Sequence, residues 1–88
     1  GEVSRYLADN SFDWEGTVPL NTGGGQLSCG QAGIAGGMLS VTEAVRQLRG
    51  EGGGRQVAKA ERGLVAGYGM VGYGHGLASS TIILEATR

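Results

Sequence analysis

The clearest periodic pattern in the chain is an apolar stripe that predicts one main helix. The stripe consists of Met38, Val41, Val45 and Leu48. Steps of three and four residues place these side chains on one helical face. Ser40 and Glu43 have the spacing of a capping box, and Gly50 stands where a helix usually stops. The helix is therefore predicted over residues 38–48, with an alternative start within residues 33–37.

Two apolar runs near the end of the chain predict strands. They cover residues 63–68 and 77–84, and the second ends in β-branched side chains that suit a buried strand. Residues 69–76 are interpreted as an eight-residue glycine loop between them. A connection this short joins neighbouring strands, so the pair is expected to be antiparallel.

The first 22 residues carry weaker signals. Residues 1–16 mix charged and apolar positions without a sustained period, so they are interpreted as an irregular arm. Phe12 and Trp14 on such an arm need another surface to cover them. Residues 17–22 have extended character, and a short strand is possible there with Pro19 at its edge.

The order of elements predicts half of a layered α/β sheet. The chain reads as strand, glycine loop, helix, strand, glycine loop and strand. Three strands and one helix leave one face of the sheet bare, which implies a partner or further chain. The isolated chain is accordingly expected to be inactive.

Composition bounds the class of protein. A chain of 88 residues forms at most one small domain, which excludes a large self-contained enzyme. Its 19 glycines follow no every-third-residue repeat and stand beside a single proline, so collagen is excluded. The 40% hydrophobic content disfavours disorder. A net charge of −1 disfavours nucleic acid and anionic membranes as partners.

The single cysteine and histidine limit the covalent and metal chemistry. Cys29 has no partner for an internal disulfide, and one Cys with His75 cannot supply a four-ligand zinc site, so no metal is expected. A reducing, cytoplasmic setting fits this composition. No membrane-spanning run or signal peptide is recognisable. The first residue is Gly rather than Met, from which we expect a tag remnant or a piece of a longer protein.

Residues 67–72 spell the G-x-G-x-x-G pattern of dinucleotide-binding folds, but in the wrong context. That pattern must end a strand and open a helix, whereas here a strand is predicted to follow. Nucleotide binding is therefore disfavoured. Arg46 and Arg49, in the last turn of the main helix, suit the negative end of the helix dipole, and this role is favoured over ligand binding.

Two glycine-rich stretches are candidate sites. Residues 29–37 precede the main helix, where glycines let backbone N–H groups approach an enolate or oxyanion; Gln31 is the long polar side chain there. The alternative is a tight packing loop. The second stretch carries Tyr68, Tyr73 and His75, and a phenol tuned by an imidazole can exchange protons. The alternative is three surface residues.

Both stretches, in this order around this helix, resemble the C-terminal end of the thiolase superfamily. Residues 19–28 look like the lead-in of the lipid-transfer, sterol-carrier-type thiolases, and residues 45–51 with 54–57 follow that family's helix and exit. The similarity covers residues 17–85. It implies an α/β fold that is part of the C-terminal half of a layered α-β-α structure, with a mixed sheet. Residues 1–16 would be the arm and residues 17–88 the thiolase-like segment.

The resemblance also shows where this chain departs from thiolases. Family members are several times longer, with a nucleophilic cysteine in the N-terminal half and two C-terminal motifs. Gln31 and Ala32 stand where the Gly-His-Pro motif has its His-Pro, and Tyr73 stands where the Cys-x-Gly loop has its cysteine. Both substitutions remove groups that ordinary thiolytic chemistry uses. Cys29 is not at the nucleophile's position, and we expect it to be dispensable for turnover.

The Gly-Gln-Ala-Gly and Gly-Tyr-Gly-Met-Val patterns resemble divergent thiolase-like proteins associated with an acyl-CoA-binding OB-fold partner. Some of these resemble retro-aldol lyases that act on steroid side-chain CoA thioesters. The resemblance implies Tyr73, His75 and Gln31 as catalytic residues and Gly30 and Gly74 as substrate-binding ones. It implies a CoA thioester as substrate, no further cofactor, and a homodimer. A non-catalytic subunit that binds acyl-CoA or docks a partner is the alternative.

Overall fold

The computed structural model describes residues 1–30 and 33–87 and confirms the α/β class. Short 3₁₀ segments cover Gly33–Met38 and Gly53–Arg55. The other elements, in chain order, are helices α1 (Val3–Asp9), α2 (Gly25–Cys29) and α3 (Leu39–Leu48) and strands β1 (Arg62–Gly72) and β2 (His75–Glu85). In the described part of the chain, no helix has the length and apolar character needed to cross a membrane.

Helix α3 confirms the predicted main helix, and its α-helical part begins one residue after the predicted start at residue 38. The α-helical turns begin at Leu39, and the 3₁₀ segment before them continues the helical path back to Gly33. The predicted capping box is wrong. Met38 is the N-cap residue without a side-chain cap, because the Glu43 carboxylate is occupied by partners elsewhere.

The end of α3 confirms Gly50 as the stop. Gly50 has a φ of 74°, a left-handed conformation that glycine adopts without steric cost. Its N–H donates to the carbonyl of Gln47 at 3.1 Å, and the N–H of Glu51 donates to that of Arg46 at 2.8 Å. This pair of bonds is a Schellman motif, which satisfies carbonyl groups left open at the helix end.

Strands β1 and β2 form the expected antiparallel pair, but the predicted eight-residue loop is wrong. Pairing runs from Arg62 opposite Glu85 to Gly72 opposite His75, so the strands continue to a two-residue turn. Tyr73 and Gly74 form this turn, with φ values of 47° and 80°. Positive φ at both positions defines the type I′ turn, whose twist matches that of antiparallel strands.

The glycines in the hairpin accommodate two bulges. The register shifts between Tyr68 and Met70 and again between Met70 and Val71, which leaves one residue without an opposite partner on each strand. On β1 this residue is Gly69, where a Cβ atom would lie 3.2 Å from that of Ala78. The glycine-rich composition therefore permits a bulged hairpin rather than a loop.

Helix α3 covers one face of the hairpin near its open end. A Cβ atom at Gly63 would lie 3.8 Å from Ala44 Cβ and 3.9 Å from Leu48 Cδ1, so α3 packs directly on β1. Side chains alternate along a strand, which places Leu64 and the opposite Ile83 on the other face. These two are 67% and 69% exposed, so the predicted bare face is present.

The N-terminal region contains a helix where an irregular arm was predicted. In α1, Val3, Tyr6 and Leu7 have i, i+3, i+4 spacing, but seven residues are too few to show a sustained period. The helix ends before a turn that brings the rings of Tyr6 and Phe12 within 6.3 Å. Trp14 remains 41% exposed and lacks full cover, as the sequence indicates.

The possible strand over residues 17–22 is absent. The segment instead contains bends and is fastened to the preceding turn by two backbone bonds. Val18 N–H donates to the Ser11 carbonyl at 2.9 Å, and Leu20 N–H donates to the Phe12 carbonyl at 3.1 Å. Two isolated hydrogen bonds do not make the repeated pairing of a β-ladder. The segment therefore folds back on the preceding turn without forming a strand.

We expect the purified 88-residue chain to associate or to melt without a sharp transition. Leu48 is the one large hydrophobic side chain that is buried among those the structure describes, and Leu64, Leu77 and Ile83 are each more than half exposed. A core this small cannot offset the entropy of ordering the chain. Sedimentation and thermal denaturation monitored by circular dichroism test this expectation. A stable monomer with a cooperative melt would contradict it.

Candidate functional site

The hairpin turn presents a tyrosine that the fold does not use. Tyr73 is fully exposed, and its φ of 47° is uncommon for an aromatic residue. Type I′ turns prefer Asn-Gly or Asp-Gly, and left-handed backbone costs an ordinary side chain about 1 kcal/mol. A strained position whose side chain contributes no packing is typical of a functional residue.

His75 lies next to this tyrosine in the turn. It is the first residue of β2, pairs with Gly72 across the ladder and is exposed. Within the described residues, neither the Tyr73 phenol nor the His75 imidazole has a hydrogen-bond partner. Both side chains are therefore available to a ligand. Gly74 between them has open space where a Cβ atom would lie.

The first glycine stretch is only partly described. Gly30 ends α2 with a φ of 84°, and its N–H donates to the Gln26 carbonyl at 2.8 Å. That N–H is therefore occupied within the helix end. Gln31 and Ala32 lie outside the described residues. The structure thus brings Tyr73, Gly74 and His75 together and places Gly30 on a separate element.

The G-x-G-x-x-G spelling lies wholly within strand β1. Residues 67–72 are strand residues, and the chain continues through the turn into β2 rather than into a helix. A pyrophosphate at this sequence would meet no helix N-terminus, so the predicted absence of the dinucleotide-binding context is confirmed. Among residues 1–30 and 33–87, no three His, Cys, Asp or Glu side chains form a possible metal site.

A cluster of polar side chains around Glu43 of α3 is the feature that the sequence did not reveal. The carboxylate of Glu43 accepts hydrogen bonds from Thr22 Oγ1 at 2.9 Å and from Gln47 Nε2 at 3.0 Å. Arg55 adds a bidentate pair, with Nε at 3.0 Å and Nη2 at 2.8 Å. We call Thr22, Glu43, Gln47 and Arg55 the Glu43 cluster.

The electrostatics of the Glu43 cluster favour the ionised carboxylate. The Glu43 side chain is 14% exposed. Hydrogen bonding from Arg55 outweighs desolvation, and with bonds from Gln47 and Thr22 it lowers the pKa of Glu43 to about 2. The same hydrogen bond raises the pKa of Arg55. This pair is charged throughout the physiological range.

Gln47 connects the cluster to the segment after α3. It is buried, its Oε1 accepts from Val57 N–H at 2.8 Å, and its Nε2 donates to the Arg55 carbonyl at 3.0 Å. Gln56 reinforces the connection through Nε2, which donates to the Gln47 carbonyl at 2.9 Å. The i, i+4 spacing of Glu43 and Gln47 beside the apolar stripe is the signal that could have indicated a buried polar contact.

A cavity of about 180 Å³ lies between α2 and α3, next to the Glu43 cluster. Arg46, Arg55 and Cys29 are among the residues that line it. The Cys29 thiol is exposed and donates to the Gly23 carbonyl at 3.1 Å. We call this space the α2–α3 cavity.

Comparison with known proteins agrees with this architecture. The family described as Thiolase C-terminal domain-like matches residues 1–86, which include α1, the α3 region and the whole hairpin. The chain belongs to this family. No solved structure matches it significantly.

Curated relatives of this thiolase-family chain carry two kinds of name. It is 39% identical over 72 residues to an acetyl-CoA acetyltransferase of Methanothermobacter thermautotrophicus, covering 82% of this chain and 19% of that protein. It is 48% identical over 50 residues to the 17-hydroxy-3-oxo-4-pregnene-20-carboxyl-CoA lyase of Mycobacterium tuberculosis, covering 57% of this chain and 12% of the lyase. A steroid side-chain-cleaving aldolase of Thermomonospora curvata is 46% identical over 50 residues, with the same coverage.

These relatives are acyl-CoA enzymes of both the transferase and the lyase type. The thiolase-family chain spans about a fifth or less of the length of each of them. The matched family covers the predicted arm and residues 17–86 of the predicted segment 17–88. The superfamily resemblance stated from the sequence is therefore confirmed, whereas the roles of Tyr73, His75, Gln31, Gly30 and Gly74 stay predictions.

We expect Glu43→Gln to destabilise the full natural chain by about 2 kcal/mol at pH 7, because Arg55 loses its ionic partner while remaining partly shielded. The pKa of Glu43 lies below its ordinary 4.5, so its contribution is complete above about pH 4.5 and is lost as the pH falls towards 2. Urea denaturation at pH 7 and pH 3 measures both effects.

Glu51→Gln is the matched control for this substitution. Glu51 pairs with Arg49 at 3.1 Å, but both side chains are more than half exposed, so the change should cost less than about 0.5 kcal/mol. Equal losses for the two variants, or an acid dependence unchanged in Glu43→Gln, would refute the assigned role of the cluster.

Proposed function

We propose that this chain contributes to the active site of an acyl-CoA enzyme that makes or breaks a carbon–carbon bond beside a CoA thioester. Retro-aldol cleavage is favoured over thiolytic transfer. The observation that carries the proposal is Tyr73, which is held in a strained turn, fully exposed, and unused by the fold. The membership in the thiolase C-terminal family and the CoA-based names of the relatives support the substrate class.

The proposed reaction starts from a β-hydroxyacyl-CoA. Tyr73 acts as the phenolate, and its oxygen accepts the proton of the β-hydroxyl group as the bond between the α and β carbons breaks. The electron pair of that bond passes to the α carbon and forms the thioester enolate, while the β carbon becomes a carbonyl group. The Tyr73 phenol then returns this proton to the α carbon, which releases the shorter acyl-CoA and regenerates the phenolate. His75, two residues along, is proposed to tune the phenol.

The choice of a lyase rests on the groups at two positions. Gln31 occupies the family's histidine position and Tyr73 its second cysteine position, and neither supplies the imidazole and thiol of thiolytic cleavage. Gly30 and Gly74 are proposed to let the thioester approach the backbone closely; because the Gly30 N–H is already bonded to Gln26, it is not proposed as an enolate donor. The names of two relatives, a carboxyl-CoA lyase and a side-chain-cleaving aldolase, support this choice.

A non-catalytic subunit that binds acyl-CoA or docks a partner is the second candidate. The bare sheet face around Leu64 and Ile83 favours it, because exposed apolar area of this kind marks contact with another surface. The resemblance adds a homodimer, an OB-fold acyl-CoA-binding partner and a cytoplasmic location to the proposal. No cofactor beyond the CoA thioester is proposed.

We expect Tyr73→Phe to lower turnover about 10²- to 10⁴-fold, which is the usual contribution of one positioned acid or base. The substitution removes one oxygen and keeps the ring, and the exposed side chain makes no packing contribution, so folding should survive. Turnover of a β-hydroxyacyl-CoA by the full natural chain with its partner is the measurement. His75→Ala should cost less if the imidazole only tunes the phenol.

Tyr68→Phe is the control for this test. Tyr68 lies within β1 opposite Ser79, away from the turn, and should retain wild-type turnover. Equal rates for wild type and Tyr73→Phe would remove the main residue of the lyase proposal and favour the binding subunit. Thiolysis of a 3-oxoacyl-CoA that exceeds cleavage of the β-hydroxy substrate would instead favour the transferase.

A further inference from the structure

The α2–α3 cavity is lined by more positive than negative charge. Three of its lining side chains are ionised at neutral pH, namely Arg46, Arg55 and Glu43. The negative one is already engaged, since the Glu43 carboxylate receives four hydrogen bonds within the Glu43 cluster. A net positive charge therefore faces the cavity.

Arg46 is a cation to which the described part of the fold gives no partner. Its side chain has no hydrogen bond or ion pair with any residue in the described ranges, although it lines the cavity. Arg49 lies three residues farther along, at the end of the same helix, and its guanidinium pairs with Glu51 at 3.1 Å. A role at the helix dipole applies equally to both arginines, so it does not account for this difference.

Arg55 is held in place before any ligand arrives. Its Nε and Nη2 groups bind Glu43, and Nη1 has no partner among the described residues. A guanidinium fixed in this way loses little side-chain entropy when its remaining N–H groups bind a ligand. Guanidinium groups match phosphate oxygens in geometry and in charge.

The size of the cavity limits what can enter. Its volume of about 180 Å³ is below the roughly 300–1,000 Å³ of pockets that enclose a whole small molecule. One phosphate group fits such a space, either as the free ion or as the terminal group of a larger molecule that lies outside. The exposed hydroxyl group of Ser40 also lines the cavity and adds a neutral donor.

We propose that the α2–α3 cavity is a phosphate-binding site in which Arg46 and Arg55 hold the phosphate oxygens. The site rests on the cavity and the two guanidinium groups and is independent of the proposed lyase activity. If that activity is correct, a phosphate group of the CoA thioester is one source of the ligand. Free inorganic phosphate is the other.

Titration of the full natural chain with inorganic phosphate, followed by calorimetry, tests the site. We expect saturable binding that weakens with salt and falls about tenfold or more in Arg46→Gln, because a charge-assisted hydrogen bond is lost. Arg49→Gln removes the same charge three residues farther along the chain, at a side chain that does not line the cavity, and should change affinity less than about twofold. Undetectable binding, or equal losses in the two variants, would overturn the proposal.

Three further titrations identify the source of the phosphate. The competitors are CoA, CoA without its 3′-phosphate, and pantetheine. If the site takes a CoA phosphate, the first two compete with inorganic phosphate to different extents, and pantetheine, which has no phosphate, does not compete. In that case Arg46→Gln raises KM for the acyl-CoA without changing kcat. If none competes, the site takes free phosphate. Tyr73→Phe should leave phosphate affinity unchanged, so failure of the proposed activity and failure of this site are distinguishable.

Discussion

The ion pair between Glu43 and Arg55 is the constraint on which the ordered part of this chain depends. With Leu48 as the one large hydrophobic side chain buried among the described residues, apolar packing alone cannot fix the path of the chain. The pair joins α3 to the segment that leads into β1, and Thr22 brings the lead-in of α2 to the same carboxylate. The Glu43 side chain is 14% exposed and its carboxylate receives four hydrogen bonds, so another arrangement of the chain would leave a shielded charge with fewer partners.

The function proposed for the chain depends on how α3, held by this ion pair, supports the hairpin. Helix α3 packs on β1 near Gly63, at the end of the hairpin farthest from the turn. The two strands of 11 residues then carry Tyr73 and His75 away from α3. The two side chains proposed to be catalytic thus stand on an arm that is fixed at one end only, so other surfaces of the full natural chain can surround its tip.

The sequence was sufficient to predict those features of the fold that depend on residues close together in the chain. The stripe from Met38 to Leu48, the stop at Gly50 and the antiparallel pairing all follow from spacing and glycine geometry within a few residues. The Glu43 cluster was not predictable in this way, because Thr22 is 21 positions from Glu43. The turn was missed since a tyrosine at a positive φ contradicts ordinary turn preferences. Gln31, the remaining catalytic candidate, lies outside the described residues.

The two bulges of the hairpin have a consequence for how its length can vary. Each strand has one extra residue at its bulge, so the register shift at the first bulge is reversed at the second. The pairing next to the turn is therefore in the same register, or phase, as the pairing at the open end. Deleting Gly69 alone would leave the extra residue of β2 uncompensated, so the pairing next to the turn would be one position out of phase with the pairing at the open end. Loss of one residue from each strand would shorten the hairpin and keep its phase. Insertions and deletions in this arm should therefore be inherited in matched pairs, one in each strand.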